Sequence, residues 1–317
     1  MSNIVAKPFL KWAGGKTQLL AEISKRIPKR FYSEKSTYVE PFVGSGAVLF
    51  WVLNEFPKIE HAIINDINAD LVNCYQIIAS QPIQLISLLN EWQEEFHAVD
   101  KLEERRREYY AEKRTIFNSR KSDNIHQAAL FIFLNKTCFN GLYRVNRKNK
   151  YNVPIGRYTL PTICQKENIL AVHEALKKVV MRCGDFEDTL SGIDKPSLFY
   201  LDPPYKPLSQ TSSFNTYAQE VFDDAEQERL RNFCNNLDIL GHHWILSNLY
   251  FMGKDENDNF FNELNADFKI ERVEAKRSIN ANPEKNYLGV PLSGRAIRCK
   301  SSLRCGLSTS IPNATFC

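Results

Sequence analysis

The chain has 317 residues, 43% of them hydrophobic and 25% charged, with a formal net charge of +4. This composition is typical of a globular protein with one large or two modest domains. No apolar run approaches the roughly 20 residues of a membrane span, and the first residues lack a signal peptide's apolar core, so we expect a cytoplasmic protein without membrane contact. The eight cysteines lie far apart with no C-x-x-C pair, which predicts free thiols and no metal site.

The first motif is "KWAGGK", residues 11–16. Its end resembles a phosphate-binding loop, but such a loop needs a strand before it and a glycine where this chain has Leu10. Only nine residues precede Leu10, which leaves little room for that strand. The nucleoside-triphosphate interpretation is therefore poor, and the motifs that follow argue for a different adenosine-containing cofactor.

The next motif, "YVEPFVGSGAVLF", is an apolar run that ends in Gly44 and Gly46. Glycines at this spacing let bare backbone approach a ligand, although a plain strand-to-helix turn is an equally good interpretation. Leu49 stands where a dinucleotide fingerprint has its third glycine, which argues against NAD. Asp66 follows the next apolar run, where a carboxylate can accept both ribose hydroxyls. Together these features favour an adenosine cofactor.

Short apolar runs ending in turn residues recur along the chain and alternate with amphipathic stretches, which predicts a parallel α/β sheet with ligands at the carboxyl ends of its strands. Residues 82–175 break this alternation and read as helix and basic loop, so we interpret them as an insertion. Between residues 101 and 160, fourteen Lys and Arg stand against five Asp and Glu. Where the two signs interleave, over residues 101–114, a solvated helix face is the favoured interpretation.

The segment "GLYRVNRKNKYNVPIGRY", residues 141–158, carries five basic residues and no acidic one. Its basic residues alternate with Asn and Tyr side chains that can hydrogen-bond or stack. This pattern predicts a nucleic-acid contact surface.

The most specific motif is "FYLDPPY", in which Asp202, Pro203, Pro204 and Tyr205 follow a strand. The prolines remove amide donors and stiffen the backbone, so a carboxylate and a carbonyl remain to accept both hydrogens of one amino group. Tyr205 can stack on a base that has been swung out of the duplex. A plain turn with an aromatic plug is the alternative.

Six pieces of the chain, in this order, resemble the Dam family of DNA N6-adenine methyltransferases, which includes members of restriction systems that act at GATC. They are "PFLKWAGGK", "EPFVGSGAVLF", "INDIN", "FNGLYRVNRKNKYNVPIGRY", "GDFED" and "DPPYKPLSQTSSF". The resemblance spans residues 7–280 and implies an α/β, Rossmann-like, S-adenosylmethionine-dependent methyltransferase sheet with an inserted, mainly helical DNA-recognition lobe. We place the catalytic domain at 1–81 and 176–281, the lobe at 82–175 and an atypical, disordered tail at 282–317.

The resemblance also implies residue roles. The S-adenosylmethionine pocket would comprise Trp12, Ala13, Gly14, Lys16, Phe42, Gly44, Gly46, Asp66, Asp185, Phe186 and Asp202. The target adenine would be bound by Asp202, Pro203, Pro204 and Tyr205. Double-stranded DNA would be contacted by Asn140, Arg144, Asn146, Arg147, Lys148, Lys150, Asn152, Arg157 and Tyr158. The expected protein is a monomer, with a cognate restriction endonuclease as a possible partner.

Three alternatives stay open. Related enzymes with Asn-Pro-Pro-Tyr methylate a glutamine amide of a protein, and Ser-Pro-Pro-Tyr is common in cytosine N4 methylation. Asp202 and the basic insertion argue against both. The third alternative is a DNA-binding protein with impaired catalysis, because nothing strand-like is evident after residue 282 and the sheet would then lack a final strand.

Overall fold

The computed structural model describes residues 4–12, 16–99, 103–204, 222–249, 260–274 and 294–299. Within these residues one seven-stranded sheet has the order β3-β2-β1-β4-β5-β7-β6. The strands are β1 (Ser36–Glu40), β2 (Ile59–Asp66), β3 (Val179–Cys183), β4 (Leu198–Leu201), β5 (His243–Leu249), β6 (Lys269–Glu274) and β7 (Gly294–Cys299).

Strands β1 to β5 pair in parallel, whereas β7 runs antiparallel to both β5 and β6. The chain builds one half of the sheet outward from β1 to β3 and then returns to place β4 on the other side of β1. This reversal creates a crevice at the carboxyl ends of β1 and β4, where open α/β sheets bind their ligands. The fold prediction of a Rossmann-like parallel sheet is confirmed.

Helices cover both faces of this sheet. The α-helices are α1 (Leu20–Ser24), α2 (Arg30–Ser33), α3 (Ala47–Glu55), α4 (Ala69–Ser80), α5 (Pro82–Ala98), α6 (Glu103–Ser119), α7 (Asn124–Thr137), α8 (Lys166–Leu176), α9 (Asp224–Ile239) and α10 (Phe260–Leu264). Helices α4, α7 and α9 begin at Asn68, Asp123 and Asp223, whose side chains accept hydrogen bonds from free amides of the first turn.

Alternation along each strand divides the core between the two faces. Tyr38 packs with the helices α3, α4 and α8, whereas its neighbour Val39 packs with α9 on the opposite face. Phe199 and Tyr200 of β4 divide in the same way. The strand β4 is buried along its whole length, which is why its sequence reads as a continuous apolar run.

The predicted insertion contains the helices α5, α6 and α7, whereas its residues 142–165 form no helix. Helix α7 lies at its centre and is buried on all sides from Gln127 to Thr137, with α4, α5 and α6 against it. Its buried side chains belong to the same cluster as those of α3 and β1. The domain boundaries at 82 and 175 stay a prediction. Within the described ranges, no helix has the length and apolar character needed to cross a bilayer.

The expectation that nothing strand-like follows residue 282 is wrong for residues 294–299. These residues form β7, which lies between β5 and β6 and pairs with both. The sequence "GRAIRC" has one residue with a strong strand preference, Ile297, so this strand depends on its two paired neighbours and not on propensity. The remaining residues of the predicted tail lie outside the described part of the chain.

Candidate active site

The turn after β1 brings bare backbone to the crevice. Gly44 and Gly46 have φ angles of +50° and +74°, a region that glycine enters without steric cost. A Cβ atom at Gly44 would lie 3.1 Å from Nε1 of Trp12, and one at Gly46 would lie 2.6 Å from the Tyr75 hydroxyl. At both positions glycine therefore allows a neighbouring side chain to pack directly against the backbone. Trp12 lies against Gly44, and Tyr75 lies against Gly46.

Asp66 ends β2 with its carboxylate turned to the same edge of the sheet. One oxygen accepts from the Gly44 amide at 3.1 Å and the other accepts from the Asn68 amide at 2.9 Å. Desolvation raises the pKa of the Asp66 carboxyl, and these two amides oppose the shift. The carboxylate thus fixes the glycine turn and keeps further lone pairs for hydroxyl donors.

Asp202 follows β4, and its carboxylate forms an ion pair with the ammonium of Lys16. The Lys16 side chain is 4% exposed and that of Asp202 is 20% exposed, so the pair lies at the boundary between the core and the crevice. These residues are 186 positions apart in the chain. The pair therefore joins the end of "KWAGGK" to the first residue of "DPPY".

Glu40, the last residue of β1, is a buried carboxyl beside this pair that the sequence prediction did not include. It is 2% exposed and accepts a hydrogen bond from the Tyr38 hydroxyl at 2.7 Å. Burial raises the pKa of Glu40 well above its ordinary value; the Tyr38 bond lowers it, the Asp202 charge raises it further, and the Lys16 charge lowers it. Its position in "EPF", directly before the glycine turn, was the available signal.

Two predicted cofactor residues, Phe42 after β1 and Phe186 after β3, pack against each other, and Phe186 is 4% exposed. Phe42 lies 5.3 Å from Phe186, measured between ring centroids. Asp185 precedes Phe186 and accepts from the guanidinium of Arg229 at 2.9 Å, while that guanidinium lies 5.0 Å from the Phe186 ring. Arg229, on α9, was absent from the sequence prediction because nothing local links it to "GDF".

The basic segment forms a hairpin-like loop beside α7. Isolated antiparallel bridges join Cys138 to Ile155 and Val145 to Tyr151. At its tip the Asn146 side chain accepts from the amides of Lys148 and Lys150 at 2.9 and 3.0 Å. Most of its predicted DNA contacts are exposed, namely Asn140, Asn146, Arg147, Lys148, Lys150, Asn152 and Arg157.

Other predicted contact side chains of this loop face inward. Tyr143 and Tyr151, two of the tyrosines that alternate with the basic residues of this segment, are 5% and 3% exposed and are buried beneath it. Arg144 is partly buried and donates to the Asn152 side chain at 2.7 Å. Tyr158 is partly buried beneath the Lys11 ammonium, which lies 4.1 Å from its ring centroid.

Comparison with known proteins identifies the family of this chain. Residues 12–279 match the model of D12 class N6 adenine-specific DNA methyltransferases. The chain belongs to this family.

Three relatives cover most of this methyltransferase. The chain is 45% identical to type II methyltransferase M.MjaIII of Methanocaldococcus jannaschii, over 90% of this chain and 96% of that one. It is 36% identical to type II methyltransferase M1.LlaDCHI of Lactococcus lactis, over 88% and 92%. It is also 36% identical to a DNA adenine methylase of Haemophilus influenzae, over 88% and 90%.

The structure describes most of the predicted site of this methyltransferase. It brings Trp12, Gly44 and Asp66 together through direct contacts, and it joins Lys16 to Asp202. Pro203 is buried and Pro204 is exposed at the rim. Three predicted site residues lie outside the described part of the chain: Ala13, Gly14 and Tyr205.

Proposed function

We propose that this methyltransferase takes a methyl group from S-adenosylmethionine and transfers it to N6 of an adenine that has been swung out of duplex DNA, within GATC. The observation that carries the proposal is the Lys16–Asp202 ion pair at the carboxyl end of β4. It holds a carboxylate at the rim of the crevice, next to the glycine turn that follows β1.

The residues at the crevice fit an adenosine cofactor. Gly44 lets the Trp12 ring pack against the turn at the crevice, and the Asp66 carboxylate suits ribose hydroxyls. Phe42 is partly buried and offers an aromatic ring to a purine, the buried Phe186 packs against it, and Asp185 can accept from the purine's amino group. When bound, S-adenosylmethionine supplies an electrophilic methyl on a sulfonium.

Asp202 orients the acceptor in this proposal. Its carboxylate and the carbonyl of Pro203 accept the two N6 hydrogens of adenine, which directs the nitrogen lone pair at the methyl carbon. As the new N–C bond forms and the S–C bond breaks, N6 becomes positively charged and must release one proton. Asp202 can receive that proton, and the Lys16 ammonium keeps its carboxylate in place. Alignment of the two reactants is the chain's main contribution.

The exposed side chains of the basic loop hold the duplex. Arg147, Lys148 and Lys150 lie together near its tip, where they can pair with phosphates or read base edges. Phe139, at the base of the loop, is a large apolar side chain with 39% exposure. Such a ring can fill space in a stack from which a base has been removed, which offsets part of the cost of extrusion, a few kcal/mol.

We also propose a monomer in the cytoplasm that works with a cognate restriction endonuclease. Similarity to type II methyltransferases supports the restriction endonuclease as a partner. The GATC assignment is supported by resemblance to the Dam family and by similarity to DNA adenine methylases.

The test is transfer of labelled methyl from S-adenosylmethionine to three duplexes: one with GATC, one with its adenine replaced, and one with the site scrambled. We expect label in the first duplex alone. Equal labelling of all three would refute the GATC assignment, and no labelling by a folded protein that binds the cofactor would refute the proposed reaction.

A further inference from the structure

One buried amide joins the predicted cofactor segment to the predicted DNA loop. Asn135, on α7, is 3% exposed. Its Oδ1 accepts from the Lys11 amide at 2.8 Å, and its Nδ2 donates to the carbonyls of Lys11 at 2.8 Å and of Gly141 at 3.0 Å. The side-chain amide of Asn135 therefore donates one hydrogen to the cofactor segment, at Lys11, and the other to the loop, at Gly141. Lys11 precedes Trp12, and Gly141 follows Asn140.

Close packing reinforces this junction. Gly141 has a φ of +63°, and a Cβ there would lie 2.5 Å from Cδ of Lys11, so the two segments touch without space between them. The ring of Trp12 stacks on Tyr143 of the loop at 5.7 Å, with the planes 18° apart. On its other side, Trp12 lies against Gly44. A continuous row of contacts thus runs from the glycine turn to the DNA loop.

We propose that Asn135 is a positioning residue that couples the two substrates, so that occupation of the cofactor crevice raises the affinity of the loop for DNA and the reverse. This inference rests on the proposed function. Ligands at either end stabilise the same arrangement of Lys11 and Gly141, so the second ligand has less ordering left to do. Linkage requires the two effects to be equal, and couplings of this kind are about fivefold or more.

Two other asparagines provide matched controls, because each clamps the N–H and C=O of one residue in the same way. Asn168 clamps Lys7, with both bonds at 3.0 Å, and so holds the N-terminal segment without touching the loop. Asn118 clamps Tyr151, with bonds of 2.7 and 3.0 Å, and so holds the loop without touching the N-terminal segment.

The experiment measures a coupling factor. The Kd of S-adenosylhomocysteine is determined with and without a saturating GATC duplex, and the Kd of the duplex is determined with and without S-adenosylhomocysteine. The proteins are wild type, Asn135→Asp, Asn118→Ala and Asn168→Ala. The Asn135→Asp side chain keeps its shape but has at most one donor hydrogen, when protonated, so it cannot donate to both carbonyls at once. Loss of stability alone reduces the folded fraction and leaves the coupling factor of the folded molecules unchanged.

We expect a factor of about five or more in wild type and in both controls, and a factor near one in Asn135→Asp. Should that variant not fold, Gly141→Ala disturbs the same contact from the loop side and should also reduce the factor. Wild-type coupling in Asn135→Asp, equal losses in the controls, or a wild type that binds both ligands without coupling would overturn the inference. A wild type that binds neither ligand would instead refute the proposed function, and the inference with it.

Discussion

The crevice and the basic loop both carry charged side chains, but they hold them in opposite ways. In the crevice, Lys16, Glu40 and Asp66 are buried or partly buried, and each is already bonded within the fold. Lys16 pairs with Asp202, Glu40 accepts from Tyr38 of its own strand, and Asp66 accepts from the Gly44 amide. In the loop, Lys148 and Lys150 are exposed, whereas Tyr143, Tyr151 and Val153 are buried.

This difference corresponds to two functions, methyl transfer in the crevice and DNA binding by the loop. Chemistry at N6 needs a carboxylate whose position is set before the substrate arrives, and burial with paired charges provides that. Binding a polyanion needs accessible cations, whose effect is spread over several residues and screened by salt. We therefore expect crevice substitutions to change turnover or folding sharply, and loop substitutions to change DNA affinity in small steps.

The largest effect is expected for Asp202→Asn. The amide keeps the size of the side chain but loses the charge that orients N6 and receives its proton. We expect the single-turnover rate to fall by about 10²-fold to 10⁴-fold. Asp194→Asn, in an exposed position before β4, is the matched control and should keep the wild-type rate. A normal rate for Asp202→Asn would break the distinction between the two regions.

Lys16→Met should destabilise the protein, because it leaves the Asp202 carboxylate without its counter-ion. Breaking a buried pair costs about 3–5 kcal/mol, and we expect the lower end because Asp202 retains 20% exposure. Urea unfolding measures this loss. Adding Asp202→Asn should recover part of it, whereas Lys35→Met, which removes an exposed pair with Glu60, should have little effect. Equal losses in both lysine variants would contradict the account.

Gly46→Ala tests the close approach at the glycine turn. Its new Cβ would lie 2.6 Å from the Tyr75 hydroxyl, with a φ of +74°. Gly192→Ala has nearly the same φ, +75°, and nothing within 4 Å, so it isolates the backbone strain of about 1–2 kcal/mol. We expect Gly46→Ala to lose about 1–3 kcal/mol more in free energy of unfolding. Equal losses would show that the turn needs only the backbone angle.

Glu40→Gln should change how stability depends on pH. Because burial raises the folded pKa of Glu40 above its ordinary 4.5, its contribution to stability is present below that pH and is lost as pH rises through the folded pKa. The glutamine cannot ionise, so the variant should gain stability relative to wild type as pH rises from acidic to neutral.

Glu60→Gln is the control with the opposite sign. The bond from Lys35 lowers the pKa of Glu60, so its small contribution is present at neutral pH and is lost as pH falls. Thermal melts across this pH range distinguish the two variants. A neutral-pH loss in Glu40→Gln would mean that the buried carboxyl is stabilising as an anion.

The smallest effect per residue is expected in the loop. If Lys148 contacts a phosphate, Lys148→Ala should weaken DNA binding for all sequences alike and reduce the slope of log Kobs against log salt by about 1. Arg147→Ala, if it reads a base, should cost about 1–3 kcal/mol and relax specificity. The control is Lys195→Ala. Lys195 is exposed and precedes β4, at the end of that strand opposite to the crevice. Slopes unchanged by every loop substitution would exclude this surface as the DNA contact.

Local sequence patterns predict the crevice better than the loop. The apolar runs before Gly44, Asp66 and Asp202 are buried strands that end at one edge of the sheet. Both the apolar runs and the turn residues after them can be recognised in the sequence. The ion pair of Lys16 with Asp202 could not be predicted from local patterns, because it joins positions 186 residues apart. The same holds for Arg229 and Asp185, which meet only when α9 packs on the sheet.

Alternation misled the interpretation of the loop. Tyr143 and Tyr151 stand between basic residues in sequence, but in an extended backbone neighbouring side chains face opposite ways, so their separation from the cations was a sign of burial. Strand β7 was missed because its stability comes from two flanking strands and not from its own residues. Asn135 carries no motif, and its importance follows from three long-range or loop hydrogen bonds.

The most direct test is the chemical position of the transferred methyl. Wild type and Asp202→Asn are incubated with S-adenosylmethionine and a GATC duplex, and the DNA is digested to nucleosides and analysed by mass spectrometry, with the protein fraction analysed in parallel. The account predicts N6-methyladenine from wild type and, at equal incubation time within the linear range, at least about 100-fold less from the variant. Methyl on cytosine N4, methyl on a protein glutamine, or N6-methyladenine at the wild-type level from Asp202→Asn would contradict it.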